Sequence, residues 1–296
     1  MSQARQPQIA IVGPGAIGST IAACLHEAGH PLTLCGRTPR DQLVVTTDSG
    51  ATTTVPGPVL TDPAARAATA PLVFLAVKAT QIEASAPWLA RLCGPDTVLC
   101  VLQNGVEQVE LVAPHARGAR VVPSVIWCPA ETDERGVVRL RGEPRISVPA
   151  DSGGRAVAAA LDGSSCVVEL SSDFVTISWR KLCQNAVSGL MVLAGRRAGM
   201  FRRADVAALA TAYIDECATV GRAEGAVLAA DVAQEILAWL QGVPEDLGSS
   251  ILFDHEAGRP LEWDARNGVV VRRGARHGIP TPISDVVVPL LAAASE

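Results

Sequence analysis

Hydrophobic and polar positions follow two different rhythms along this chain, and the rhythm changes near residue 171. Before that point, short continuous apolar runs alternate with stretches whose apolar residues recur at helical spacing. Gln8 to Gly13, Pro31 to Gly36, Leu72 to Lys78 and Thr97 to Gln103 predict strands; Gly15 to Ala28 and Ile82 to Leu92 predict helices. Short, uninterrupted apolar runs suit parallel strands covered on both faces, which predicts a doubly wound βα sheet. Val121 to Val148 reads as two or three short strands with a turn near Asp133 to Gly136, an antiparallel extension of that sheet. Gly153-Gly154 reads as a loop. Beyond Ser171 the strand signal ends. Ser172-Asp173 caps a predicted helix running to about Leu193, and further helices are predicted over Asp205 to Glu224, Asp231 to Leu240, Trp263 to His277 and Ser284 to Ala294. Gly242-Val243-Pro244 breaks the chain. The expectation is an α/β domain over residues 1–170, followed by an all-helical domain over 171–296.

Composition narrows the class. At 296 residues, 48% hydrophobic and 19% charged, the chain can bury a sizeable core and reads as globular. A net charge of −5 gives no basic footprint for nucleic acid. No apolar run reaches membrane-span length, and the polar N-terminus lacks a secretory pattern, so a cytoplasmic location with no membrane partner is expected. The eight cysteines are scattered with no C-x-x-C pair, which predicts buried free thiols and no metal site.

Chemistry enters with Gly13-Pro14-Gly15-Ala16-Ile17-Gly18. This G-x-G-x-x-G follows a predicted buried strand and opens a predicted helix, the setting in which such a loop holds a dinucleotide pyrophosphate. At the end of the second strand, where an acid would accept from a ribose 2′-hydroxyl, the chain has Gly36-Arg37-Thr38-Pro39-Arg40. An arginine there favours a 2′-phosphate, so NADP(H) is the expected cofactor, with Arg37 on the phosphate and Thr38 or Arg40 assisting. The chain also has only two lysines, Lys78 and Lys181, beside 23 arginines. A lysine amine can exchange its proton near neutral pH when its surroundings shift it, whereas arginine cannot. These two positions are therefore the candidates for amine chemistry, against the alternative of two surface lysines.

Taken together with Val77-Lys78-Ala79, Gln103-Asn104-Gly105, Lys181-Leu182-Cys183-Gln184-Asn185, Ser249 to Asp254, Gly258 to Glu262 and Asn267-Gly268, the chain resembles the ketopantoate reductase (2-dehydropantoate 2-reductase) family over nearly its full length. The resemblance implies a Rossmann domain followed by a helical domain, and NADPH-dependent reduction of a small-molecule 2-oxo acid to the 2-hydroxy acid. It implies Lys181 as the general acid and Asn185, Ser250 and Asp254 as substrate contacts. Asn104 would touch both nicotinamide ribose and substrate, Lys78 would lie near the cofactor, and Glu262 would contact the cofactor or arrange the lysine. A turn-forming Asn104-Gly105 and a helix-capping or solvated Asp254 stay open beside those roles. A homodimer is among the assemblies the sequence allows.

The resemblance departs at two places. Gly189 and Gly199 stand where the family has asparagines that would hold a distal substrate hydroxyl, which predicts opened volume and a less exacting substrate choice. Arg196-Arg197 and Arg202-Arg203 flank that region, either as solvated charge or as a site for a second anionic group. Two other functions compete: a β-hydroxyacid dehydrogenase-like enzyme, which would surround its lysine with glycines, and a non-catalytic NADP-sensing protein, which would not need Lys181, Asn185, Ser250 and Glu262 together.

Overall fold

A strand that is apolar at every position cannot leave either face in water, and this requirement organises the first half of the chain. The computed structural model describes residues 9–65 and 68–296. Gln8, part of the first predicted strand, lies outside the described residues. Two compact units are present: one takes in the chain up to Gln103 together with Gln108–Phe174, the other Asn104–Glu107 with Val175–Glu296.

The strands of the first unit are β1 (Ile9–Val12), β2 (Leu32–Cys35), β3 (Gln42–Thr47), β4 (Thr52–Pro56), β5 (Val59–Leu60) and β6 (Leu72–Leu75). They continue with β7 (Val98–Val101), β8 (Arg120–Pro123), β9 (Val125–Trp127), β10 (Ala130–Thr132), β11 (Val138–Leu140), β12 (Arg145–Pro149) and β13 (Val167–Ser171). Six of them form one all-parallel sheet in the order β5-β2-β1-β6-β7-β8. Counted in chain order those six run 3-2-1-4-5-6, the dinucleotide-binding arrangement. Its side chains divide by alternation. Ile9, Ile11, Phe74, Cys100 and Val122 enter one core with Ile21 and Leu25 of α1 (Ala16–Glu27). Ala10, Val12, Val73, Leu75, Leu99 and Val101 enter another with Trp88, Leu89 and Leu92 of α2 (Ile82–Leu92) and Val112 of α3 (Gln108–Val112).

The predicted antiparallel extension is not what forms. β8 joins the parallel sheet, β9, β12 and β13 make a separate three-stranded sheet, and β10 and β11 combine with β3 and β4 in a four-stranded one. The physical reason is visible in β3, where only Leu43 and Val45 are buried. A strand that alternates this way has one face to bury, so it lies over a core that the parallel sheet already borders; Leu43, Val45, Val55, Val138 and Leu140 all enter it. Gly153-Gly154 is likewise no loop: both lie in α4 (Ser152–Leu161), whose N-cap Asp151 accepts from the Gly154 N–H at 2.8 Å. That cap offsets the entropy glycine loses in a helix.

In the second unit the helices are α5 (Phe174–Ala194), α6 (Ala204–Ala223), α7 (Val232–Gly242), α8 (Ser250–Glu256), α9 (Val269–His277) and α10 (Pro282–Ala293). A π-helical turn, Asp264–Gly268, precedes α9 where an uninterrupted helix was expected. Trp179, Cys183 and Ala186 of α5 pack with Tyr213, Ile214 and Cys217 of α6 and Ile236 of α7. Glu216 accepts from the N–H groups of Ile283 and Ser284, both at 2.8 Å, and so anchors the start of α10. All eight cysteines are free thiols, seven of them buried and Cys128 half-buried. No helix among the described residues is long and apolar enough to cross a membrane.

Candidate active site

The glycine loop comes directly after β1. Gly13 has φ +88°, and a Cβ there would fall 2.6 Å from Val77 Cγ1, so both backbone shape and space require glycine. A Cβ at Gly18 would stand 2.3 Å from the Gly13 carbonyl oxygen, because the helix packs directly on its own turn. Gly15, the N-cap of α1, is different: nothing lies within 4 Å of its Cβ position, and no side chain caps the helix. The loop therefore leaves open space in front of N–H groups at the positive end of α1, an arrangement that fits a pyrophosphate. It lies at the β1–β6 border, where the strand order reverses and open α/β sheets bind ligands. Arg37 and Thr38 are exposed just past β2, while Arg40 donates to the Gly136 carbonyl at 3.4 Å. Strand β6 ends earlier than expected, at Leu75, and Lys78 follows as the N-cap of a 3-10 turn, Ala79–Gln81.

The second unit gathers the other sequence-predicted residues. Lys181 and Asn185 stand one turn apart on α5, four residues being one neighbouring step on a helix face. Burial lowers the pKa of Lys181 from its ordinary value to about 8, and the positive charge of Arg266 pushes the same way. Asn185 Nδ2 donates to Asn104 Oδ1 at 3.2 Å, and Asn104 Nδ2 donates to Glu262 Oε2 at 3.3 Å. Asn104 is held by its neighbour: Gly105 has φ +103°, and a Cβ there would sit 2.8 Å from the Ala265 carbonyl oxygen. Ser250 is exposed at the start of α8, and its Oγ accepts from Arg266 Nη2 at 2.7 Å. Asp254 is buried and pairs with Arg259 at 2.9 Å.

Arg266 was not singled out in the sequence. It is 2% exposed, and burial pulls its guanidinium pKa down against the attraction of Glu262 and Asp254. Its signal was present: it lies four residues after Glu262 and directly before Asn267. What the sequence could not supply was its burial, since arginines are mostly exposed.

The opened volume expected at Gly189 and Gly199 is absent. A Cβ at Gly189 would meet Leu291 Cδ1 at 2.9 Å and Asn267 Nδ2 at 3.1 Å, and one at Gly199 would meet Glu245 Cβ at 3.0 Å. Asn267 fills the space beside Gly189 and donates to the Ala186 carbonyl and to Tyr213 Oη, at 2.9 and 2.8 Å. Gly189→Asn is accordingly expected to overpack this core and lower unfolding stability by roughly 1–3 kcal/mol, measured by urea denaturation. An unchanged midpoint would show that Leu291 and Asn267 yield freely. Near Gly199, Arg197 pairs with Glu256, Arg202 with Glu245 and Arg203 with Asp205, so these three charges are already matched by surface acids.

A 3-2-1-4-5-6 parallel sheet with a glycine loop at its switch point, joined to a helical unit carrying an acid–amide–amine cluster, defines a pyridine-nucleotide-dependent oxidoreductase. Comparison with known proteins narrows this class. Residues 9–153 match the family model described as Ketopantoate reductase PanE/ApbA, and residues 173–295 match its C-terminal counterpart. The chain belongs to the ketopantoate reductase family, whose members are oxidoreductases acting on CH–OH groups. A 2-dehydropantoate 2-reductase from Mycobacterium tuberculosis is 53% identical over 288 residues, covering 97% of this chain and 98% of the relative. One from Caulobacter vibrioides is 38% identical, covering 97% and 99%. Among solved structures, a PanE/ApbA family ketopantoate reductase from Ralstonia eutropha superimposes with a TM-score of 0.87 at 28% identity, covering 97% and 98%.

Proposed function

We propose that this protein reduces ketopantoate, or a closely related 2-oxo acid, to the 2-hydroxy acid with NADPH, and that Lys181 is the proton donor. The observation that carries the reading is the placement of Lys181: a half-buried amine with its pKa lowered to about 8, one helical turn from Asn185. The M. tuberculosis and C. vibrioides relatives, named for the reaction with 2-dehydropantoate, support the same substrate.

When bound, the reduced nicotinamide supplies the hydride that reaches the carbonyl carbon. The residues of this chain do the rest. Gly13, Pro14, Gly15, Ala16, Ile17 and Gly18 receive the pyrophosphate at the start of α1, and Lys78 adds positive charge beyond the end of β6. Lys181 donates its proton to the carbonyl oxygen as negative charge grows there, an interaction that strengthens toward the transition state. Asn185 and Asn104 orient the substrate, with Glu262 holding Asn104 through its Nδ2. Ser250 meets the substrate carboxylate. Asp254, paired with Arg259, acts from behind by fixing the segment after Ser250.

The preference for NADPH rests on Arg37, an exposed cation in the place where NAD-binding proteins carry an acid. Arg37→Ala is expected to weaken NADPH binding by about 1–3 kcal/mol, the scale of one charge-assisted hydrogen bond, and to leave NADH nearly unchanged. Titration of both cofactors checks this, and equal losses would remove Arg37 from the 2′-phosphate. The overall reading is tested by NADPH oxidation with a panel of 2-oxo acids; absence of turnover with all of them would defeat it. Light scattering tests the homodimer expectation, a mass near twice 30.7 kDa supporting it.

A further inference from the structure

We propose that Arg266 binds the carboxylate of the substrate together with Ser250, and that this pair makes the second unit select a 2-oxo acid over the neutral amide of the same skeleton. The proposal rests on the reading of the chain as a 2-oxo acid reductase and adds a residue that the family resemblance did not carry.

Three observations support it. First, a buried arginine normally has its donors matched. Arg266 has five N–H donors, yet among the described residues one hydrogen bond is made, from Nη2 to Ser250 Oγ, and Nε is buried with no acceptor. A guanidinium with donors to spare is a planar fork shaped for a carboxylate. Second, its one partner, Ser250, is exposed, so the guanidinium reaches from the interior to a point that an anion can approach. Third, Arg266 sits in the π-helical turn Asp264–Gly268, a departure from α geometry that recurs at functional sites.

The chemistry of the substrate fits this placement. In a 2-oxo acid the carboxylate is bonded directly to the carbonyl carbon, so its anchor has to lie close to the group that protonates the carbonyl oxygen. Arg266 is near enough to Lys181 for the two positive charges to repel. A bound carboxylate relieves that repulsion and takes the hydrogen bond that Nε lacks. Glu262 and Asp254 balance the guanidinium charge, which lets it stay buried before the substrate arrives.

The test compares ketopantoate with its primary amide, using NADPH and the full-length wild-type protein alongside Arg266→Gln, Arg266→Lys and Ser250→Ala. Wild type is expected to prefer the acid by about 100-fold or more in kcat/KM. Arg266→Gln is expected to raise KM for the acid roughly 10- to 100-fold, the scale of charge-assisted hydrogen bonds lost, with a smaller change in kcat and unaltered NADPH affinity. The preference for acid over amide should collapse in that variant, and guanidinium ion added to the assay should restore part of it. Arg266→Lys should recover less than wild type, because an ammonium cannot form the fork. Wild type that reduces amide and acid equally well, a result needing no variant, overturns the assignment. So does an unchanged KM in a folded Arg266→Gln. Absence of turnover of any 2-oxo acid by wild type would instead overturn the underlying functional reading, an outcome distinct from both.

Discussion

Lys181→Ala is expected to lower kcat by about 10²–10⁴ while NADPH affinity stays nearly constant, the range for loss of a general acid. That corresponds to about 3–5 kcal/mol of transition-state stabilisation. The size follows from where the proton is needed: hydride addition turns a neutral carbonyl oxygen into an alkoxide, and without the ammonium that charge must be met by water or amides. Lys181→Arg should rescue poorly, because a guanidinium keeps its proton near neutral pH. The pH dependence has a definite sign. Burial first, and Arg266 second, lower the lysine pKa to about 8. Below that value the acid form dominates and reduction runs at its plateau; above it, the protonated fraction and the rate fall about tenfold per pH unit. The reverse oxidation needs the free amine and should rise over the same window. A steady-state pH profile in both directions decides it: parallel profiles, or near-normal turnover in the alanine variant, would place the proton donor elsewhere.

The largest expected effect on stability is at Glu107. This carboxylate is 7% exposed and pairs with Arg272 at 2.6 Å and with the buried Arg273 at 3.4 Å. Arg273 reaches Glu224 at 3.5 Å, and Glu224 in turn meets His277 Nε2 at 2.6 Å. Removing one member of such a network strands charge that has already lost its hydration. Glu107→Ala is therefore expected to cost about 3–5 kcal/mol of unfolding free energy, whereas breaking the exposed Arg180–Glu235 pair should cost at most about 1 kcal/mol. Denaturant midpoints for Glu107→Ala and Glu235→Ala, compared at equal m-value, give the answer. Similar losses in the two would mean that the buried network contributes no more than a surface pair.

Local chemistry was readable wherever one residue and its chain neighbours set the outcome. Uninterrupted apolar runs specify strands with two buried faces, helical spacing specifies α2 and α6, and G-x-G-x-x-G after such a run specifies a tight glycine turn packed on the start of α1. Lys181 stood out because this chain uses arginine for nearly all its other cations. Asn104, Asn185, Ser250 and Glu262 were candidates from phrases in the right order, but the sequence did not show the hydrogen bonds that join Asn185 to Asn104 and Asn104 to Glu262, between side chains 81 and 158 residues apart.

What the sequence determined by itself is four strands of the parallel sheet, β1, β2, β6 and β7, the helices α1, α2, α5, α6, α7, α9 and α10 to within a few residues, and a set of candidate reactive groups, because propensity and periodicity are properties of short stretches. Tertiary structure decided the rest. It sent β3, β4, β10 and β11 into their own sheet, since one-faced strands go where a second apolar surface awaits them. It assigned residues 104–107 to the helical unit, where Arg272 and Arg273 meet Glu107. It filled the space beside Gly189 with Asn267 from a distant turn. It also took Arg266, one arginine among 23, out of water and set it against Ser250. Burial and proximity are sums over the whole folded chain, and no local pattern encodes them.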